Sequence, residues 1–202
     1  MTHQVSHPVV LVHADESCLG NQNATPSRGG ASAFVEMHSD AGIDRKDFYL
    51  SSPDTTNNRM ALIGASKLMA LITGQIGTRV ITYCSDSQYL VKGMNEWIHS
   101  WKARSWNRRG GPIENLEMWQ TLDRAAAQHR VTFKWVRGHA GNPKNEYADH
   151  LAVRAAELQT DSGGLVKSGW DGWILDQNRR GAFANFNADD HFYDITRTPS
   201  GR

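Results

Sequence analysis

Apolar and polar residues follow two rhythms along this chain. "PVVLVHADES" (8–17) is apolar and β-branched until Asp15, as expected of a buried strand with a carboxylate near its end. "ASAFVEMHS" (31–39) and "RKDFYLS" (45–51) alternate every second residue and predict two further strands joined by the turn-like "DAGID". Apolar residues recur at helical spacing over 59–73, with Gly74 or Gly77 placed to end that helix. "TRVITYCSDS" (78–87) reads as a fourth strand, again ending in an acid, Asp86, and "RVTFKWVRG" (130–138) as a fifth. Between them, residues 88–111 predict short helices and a basic turn, and "PIENLEMWQTLDRAAAQH" (112–129) a helix opened by Pro and Glu. The "HAGNPKN" loop then leads into a last helix, "EYADHLAVRAAELQ" (146–159). Three successive strands followed by alternating helices and strands argue for an α/β fold, a mixed sheet flanked by helices.

From about residue 158 the periodicity fades, which divides the chain into a main domain (1–157) and a C-terminal extension (158–202). Trp170, Trp173, Phe183, Phe186, Phe192 and Tyr193 are too many aromatics for a solvated tail, so the extension is expected to dock on the main domain or a partner. Composition narrows little else. The 202 residues carry 22 Lys plus Arg against 21 Asp plus Glu, a formal net charge of +1, so any charged partner must be read from local clusters. Cys18 and Cys84 lack zinc-ligand or CxxC spacing and read as packed thiols. No apolar run reaches membrane-spanning length and the first residues lack a signal pattern, so a cytoplasmic protein without membrane contact is expected.

Candidate chemistry sits at the ends of elements. Asp15 and Asp86 close two strands, Asp149 lies in the last helix, and His139 occupies the glycine-flanked loop before it. Hard oxygen donors without cysteine or paired histidine favour Mg²⁺ or Mn²⁺ over zinc, and such a cluster suits phosphodiester hydrolysis. Any one of these aspartates alone would read as a cap or a solvated acid. "WIHSWKARSWNRRGG" (97–111) interleaves Trp97, Trp101 and Trp106 with Lys102, Arg104, Arg108 and Arg109. That pattern suits nucleic acid, and equally an amphipathic helix with a buried Trp stripe. Asn57 and Asn58 can cap the helix they open, whereas a cap has no need of the cation on Arg59.

Taken together, "DESCLGN", "DTTNNRM", "SDSQYLVKG", "EWIHSWKARSW", "ENLEMWQTLD" and "WVRGHAGNPKNEYADHLA" resemble type 1 ribonuclease H in its bacterial form, over residues 8–157 and in the family's order. The resemblance implies a five-stranded mixed sheet and metal-dependent cleavage of the RNA strand of RNA–DNA hybrids, with one or two Mg²⁺ ions, or Mn²⁺, as cofactor. Position by position, Asp15 matches the aspartate expected to bridge two ions, and Asp86 the one expected to hold one of them. Asp149 matches the last-helix aspartate near the attacking water, and His139 the loop histidine that helps protons or product leave. Asn21, Asn57, Asn58 and Gln88 match residues entering the hybrid's minor groove, where the 2′-hydroxyls are displayed. Thr56 and Arg59 match positions near the DNA-strand phosphates, and the segment with Trp97, Trp101, Lys102, Arg104 and Trp106 matches the basic protrusion that grips the DNA strand.

Two departures stand out. The family's glutamate after "NNRM" is Ala61 here, and Asp-Gly-Ser at the first aspartate is Asp15-Glu16-Ser17. Glu16 is therefore a candidate replacement metal ligand. Strand parity argues against it, because adjacent side chains point to opposite faces, and a bulge or strand end near Ser17 would relax that objection. The expected enzyme is a hybrid-specific endoribonuclease with altered metal dependence, acting as a monomer, with association through the extension left open. The alternative is a catalytically impaired protein that binds hybrid or double-stranded nucleic acid without cutting it.

Overall fold

The computed structural model describes residues 9–20, 27–39 and 42–196. Its centre is strand β1 (Val9–Leu19), paired antiparallel with β2 (Arg28–Ser39), which pairs antiparallel with β3 (Gly42–Ser52). On the other side of β1 lie β4 (Val80–Ser85) and then β5 (Arg130–Trp135), both parallel to it. A sixth strand, β6 (Val166–Lys167), adds to the far edge of β3, giving the order β5-β4-β1-β2-β3-β6. The expected five strands are all present. The sixth comes from the extension and is only two residues long, below the length at which alternation carries a signal.

Helices cover both faces. On one face pack α1 (Asn57–Ile76) and α4 (Leu116–Ala126), burying Val10, Val12, Ala14, Met60, Leu62, Leu68, Ile72, Trp119 and Leu122 in one cluster. Thr56 caps α1, its hydroxyl accepting from the Arg59 amide at 3.3 Å, and the Gly77 amide closes its far end on the Thr73 carbonyl. Asn57 and Asn58 are thus helical residues, relieved of the capping duty that their position suggested. The helix expected to open at Pro112 begins only at Leu116, because Asn115 adopts a left-handed backbone immediately before it.

The segment between β4 and α4 is a broken helix: α2 (Gln88–Lys92), a π turn over Gly93–Trp97, and α3 (Ile98–Ala103). Gly93 is needed there because a β-carbon would run into the Trp119 ring. Trp97 and Trp101 meet Trp119 edgewise and each other at a tilt, with centroids 5.6–6.4 Å apart, and Trp101 is buried. Of the two rings that the sequence pattern offered to nucleic acid, Trp101 is buried in the core, and Trp97 is partly buried against the same cluster beside Trp119. Trp106 is also partly buried against this cluster. Lys102 and Arg104 remain exposed, Lys102 pairing with Asp123 at 2.9 Å.

The opposite face carries α5 (Pro143–Leu158), α6 (Trp170–Arg179) and α7 (Ala188–Thr196). The extension docks on the main domain, as its aromatics predicted. Trp170 stacks on Phe34 at 4.8 Å within a cluster completed by Tyr147 and Leu151, and Phe192 is buried with Leu11 and Cys84. Asp47 ties the joint, accepting from the Tyr147 hydroxyl, the Ser168 hydroxyl and the Gly169 amide at 2.7–2.9 Å. Among the described residues, no helix is long and apolar enough to cross a membrane.

Candidate active site

The site forms where β1 outlasts its neighbour. The parallel register between β1 and β4 ends at Ala14 opposite Ser85, while β1 continues to Leu19 paired with β2 alone. Among the described residues this edge of β1 is therefore open at Asp15 and Glu16, and Asp86 follows β4 directly into that opening. Sites at the carboxyl ends of parallel strands, where the connections diverge, are the expected place for function in an α/β sheet.

Asp15 and Glu16 do point to opposite faces, as parity requires, because the register through Asp15–Ser32 and Glu16–Ala31 contains no bulge. Asp15 lies on the α5 side, where its Oδ2 accepts from Asn145 Nδ2 at 3.0 Å and its Oδ1 from the Glu16 amide at 2.7 Å. Glu16 follows Val10, Val12 and Ala14 on the α1 side, the face whose cluster includes Ala61. Parity does not separate the two carboxylates, because among the described residues no strand pairs with this side of β1 beyond Ala14. One oxygen each from Asp15, Glu16 and Asp86 lie within 4.8 Å of one another.

Crowding three acids in a partly dry cleft is electrostatically unfavourable. Burial, then the charges of Asp86, Glu16 and Asp149, push the Asp15 carboxyl up to about 9. Burial first, then Asp86, push Glu16 up to about 7 against a hydrogen bond from Ser87. Asp86 is also raised, chiefly by burial, with His139 and a backbone hydrogen bond opposing and Asp149 adding to the rise. A cluster that resists its own ionisation and offers only hard oxygens fits a divalent cation, which would supply the missing positive charge.

The other candidates surround this centre. Asp149 is partly buried on α5, close enough to raise both aspartates. His139 is exposed in the loop before α5, with a left-handed backbone (φ 49°), and its charge reaches Asp86. In the same loop Gly138 packs so closely on Asp86 that a β-carbon would collide with the carboxylate. Thr56, Asn57 and Arg59 are exposed at the start of α1, Asn58 partly so, and Gln88 is exposed at the start of α2. Asn21 lies outside the described residues. Sequence reasoning passed over Asn145, whose signal was its place four residues, about one helical turn, before Asp149.

Carboxylates from within β1 and from just past the end of β4, crowded around an open edge beside a helix tip rich in amides, suit metal-assisted phosphodiester cleavage. The chain belongs to the RNase H family, which it matches over residues 7–157. It is 39% identical over 158 residues to the Ribonuclease H of Aromatoleum aromaticum, a match covering 78% of this chain and 96% of that one. It is 42% identical over 148 residues to the Ribonuclease H of a Janthinobacterium species, covering 73% and 95%. Among solved structures it resembles LC9-RNase H1, described as a type 1 RNase H with the type 2 active-site motif. That likeness has a TM-score of 0.81 at 42% identity and covers 91% of this chain and 92% of the other.

Proposed function

We propose that this ribonuclease H hydrolyses the RNA strand of RNA–DNA hybrids with a divalent cation, Mg²⁺ or Mn²⁺, held by Asp15, Glu16 and Asp86, and that Glu16 supplies the carboxylate Ala61 lacks. The convergence of those three carboxylates across the open edge of β1 carries the reading. A bound divalent ion supplies Lewis acidity toward the scissile phosphate and lowers the pKa of an attacking water. Asp149, on α5, stands ready to orient that water, and His139, in its exposed loop, to pass a proton to solvent. Asn57, Asn58 and Gln88 read the minor groove, where the 2′-hydroxyl distinguishes RNA from DNA. Thr56 and Arg59 approach the DNA-strand phosphates, and Lys102 and Arg104 add charge along the broken helix. LC9-RNase H1 supports the idea that a type 1 scaffold accommodates a different acidic motif.

The test is cleavage of a labelled hybrid across Mg²⁺ and Mn²⁺ series. Asp15→Asn should abolish cleavage, and Glu16→Gly should lower it by more than about 100-fold, beyond what loss of a supporting partner costs. Adding Ala61→Glu to Glu16→Gly should recover part of the rate. Full activity of Glu16→Gly would end the role given to Glu16. Hybrid binding without cleavage by the native chain, in either metal, would favour the binding-protein alternative.

A further inference from the structure

Asn145 sits in the first turn of α5, where its Nδ2 donates to Asp15 Oδ2 at 3.0 Å. Its Oδ1 is buried and has no partner among the described residues, so Asp15 supplies its only side-chain hydrogen bond there. The reverse orientation of the amide would set oxygen against oxygen. Together with the Glu16 amide on Oδ1, this contact fixes both oxygens of the Asp15 carboxylate.

The preceding residue, Lys144, has its ammonium fully buried. It donates to Glu36 Oε2 on β2 at 2.5 Å and to the Ala188 carbonyl at the start of α7 at 2.8 Å. Glu36 Oε1 accepts from Arg45 Nε on β3 at 3.1 Å, and a second nitrogen of Arg45 pairs with Asp189 on α7. Two cations and two anions thus alternate from the sheet to α7, directly beneath the turn that carries Asn145. Burial presses Lys144 and Glu36 toward neutrality, and the partners oppose it. A lysine in such a place is held by its partners or not at all.

The partners on α7 belong to the extension. The family match ends at residue 157, and α7 adheres to the sheet through Phe192 against Leu11 and Cys84. We propose that the C-terminal extension is a positioning element of the active site: α7, through Ala188 and Asp189, anchors Lys144 and so holds the first turn of α5 with Asn145 against the Asp15 carboxylate. Lys144 and Asn145 are positioning residues that act through Asp15, and the proposal rests on Asp15 being a metal-binding carboxylate. Recognition of the hybrid lies elsewhere, on the starts of α1 and α2, so the extension governs turnover and metal binding rather than substrate affinity.

The experiment compares full-length Asn145→Ala, Lys144→Met and the double variant Glu36→Leu/Lys144→Met with the native chain. Each is measured for kcat and KM on a labelled hybrid, for Mg²⁺ affinity by calorimetry without substrate, and for melting temperature. Lys144→Met alone leaves Glu36 buried without its ammonium and is expected to melt early. The double variant removes both charges and should regain much of that stability. A positioning role predicts kcat about 10–100-fold lower in Asn145→Ala and in the double variant, weaker Mg²⁺ binding, and KM within about twofold of native. A folded double variant with native kcat and native Mg²⁺ affinity would overturn the proposal, and so would an Asn145→Ala variant with native values. If Asp15→Asn keeps full activity, the reading of the site itself fails. If Asp15→Asn is dead while these variants are unaffected, only the role of the extension fails.

Discussion

Replacing Glu16 by glutamine removes one negative charge from the Asp15, Glu16 and Asp86 cluster while keeping nearly the same volume. In the folded, metal-free protein the Glu16 carboxyl is raised from 4.5 to about 7, mainly by burial. The folded state therefore keeps a proton that the unfolded chain releases between pH 4.5 and 7. Stability from this group is complete below pH 4.5 and is lost as pH rises through 7. At about 1.4 kcal/mol for each pH unit, the full loss approaches about 3 kcal/mol at pH 8. Glutamine cannot ionise, so Glu16→Gln in a metal chelator should melt roughly 6–12 °C above the native protein at pH 8, and with it at pH 4. Removing a negative neighbour also eases ionisation of Asp15, which adds to the gain in the same direction. Excess Mg²⁺ should raise the native melting temperature more than that of the variant, narrowing the gap. Cleavage should fall by more than about 100-fold in the same variant. A gain in stability with a loss of activity is the signature of charges assembled for a ligand rather than for the fold. Equal melting temperatures at pH 8, or native cleavage rates, would refute the reasoning.

Three further outcomes follow from particular contacts. His191 on α7 lies 5.5 Å from His13 and is lowered to about 4 by burial and by Lys144, with Asp194 opposing. It binds a proton more readily unfolded than folded, so stability is complete above pH 6.5 and falls as pH drops toward 4. His191→Phe should flatten that slope in denaturant titrations between pH 7 and 4.5, and an unchanged slope would place the acid sensitivity elsewhere. Gly138→Ala drives a β-carbon into the Asp86 carboxylate and should lower kcat at least about tenfold while leaving the far-ultraviolet circular dichroism unchanged. Arg59→Ala, exposed at the start of α1, should raise KM for the hybrid several-fold, more so at low salt, with kcat nearly unchanged.

Much of this protein was legible in its residue pattern. Alternation and helical spacing marked the five long strands and the main helices, because each pattern reports which face of its own element is buried. Asp15, Asp86 and the histidine before α5 were visible for the same reason, since their chemistry is carried locally, although β1 runs on to Leu19 rather than ending near Asp15 as expected. The face taken by Glu16 was also local information, and it counted against Glu16 as a ligand. Only the pairing register, with β4 ending at Ser85 while β1 runs on to Leu19, showed that the two faces meet there. Trp97 and Trp101 carried the pattern of a nucleic-acid surface and of a buried stripe alike. The tertiary structure buries Trp101 and packs Trp97, partly buried, against Trp119. Lys144 and Glu36 are 108 residues apart, and their pairing with Arg45 and Asp189 had no local trace. Periodicity along a chain encodes the side on which a residue lies. Which residues then meet is decided by strand register and by how helices settle on the sheet, and here that decision set α7 against Lys144 and Arg45.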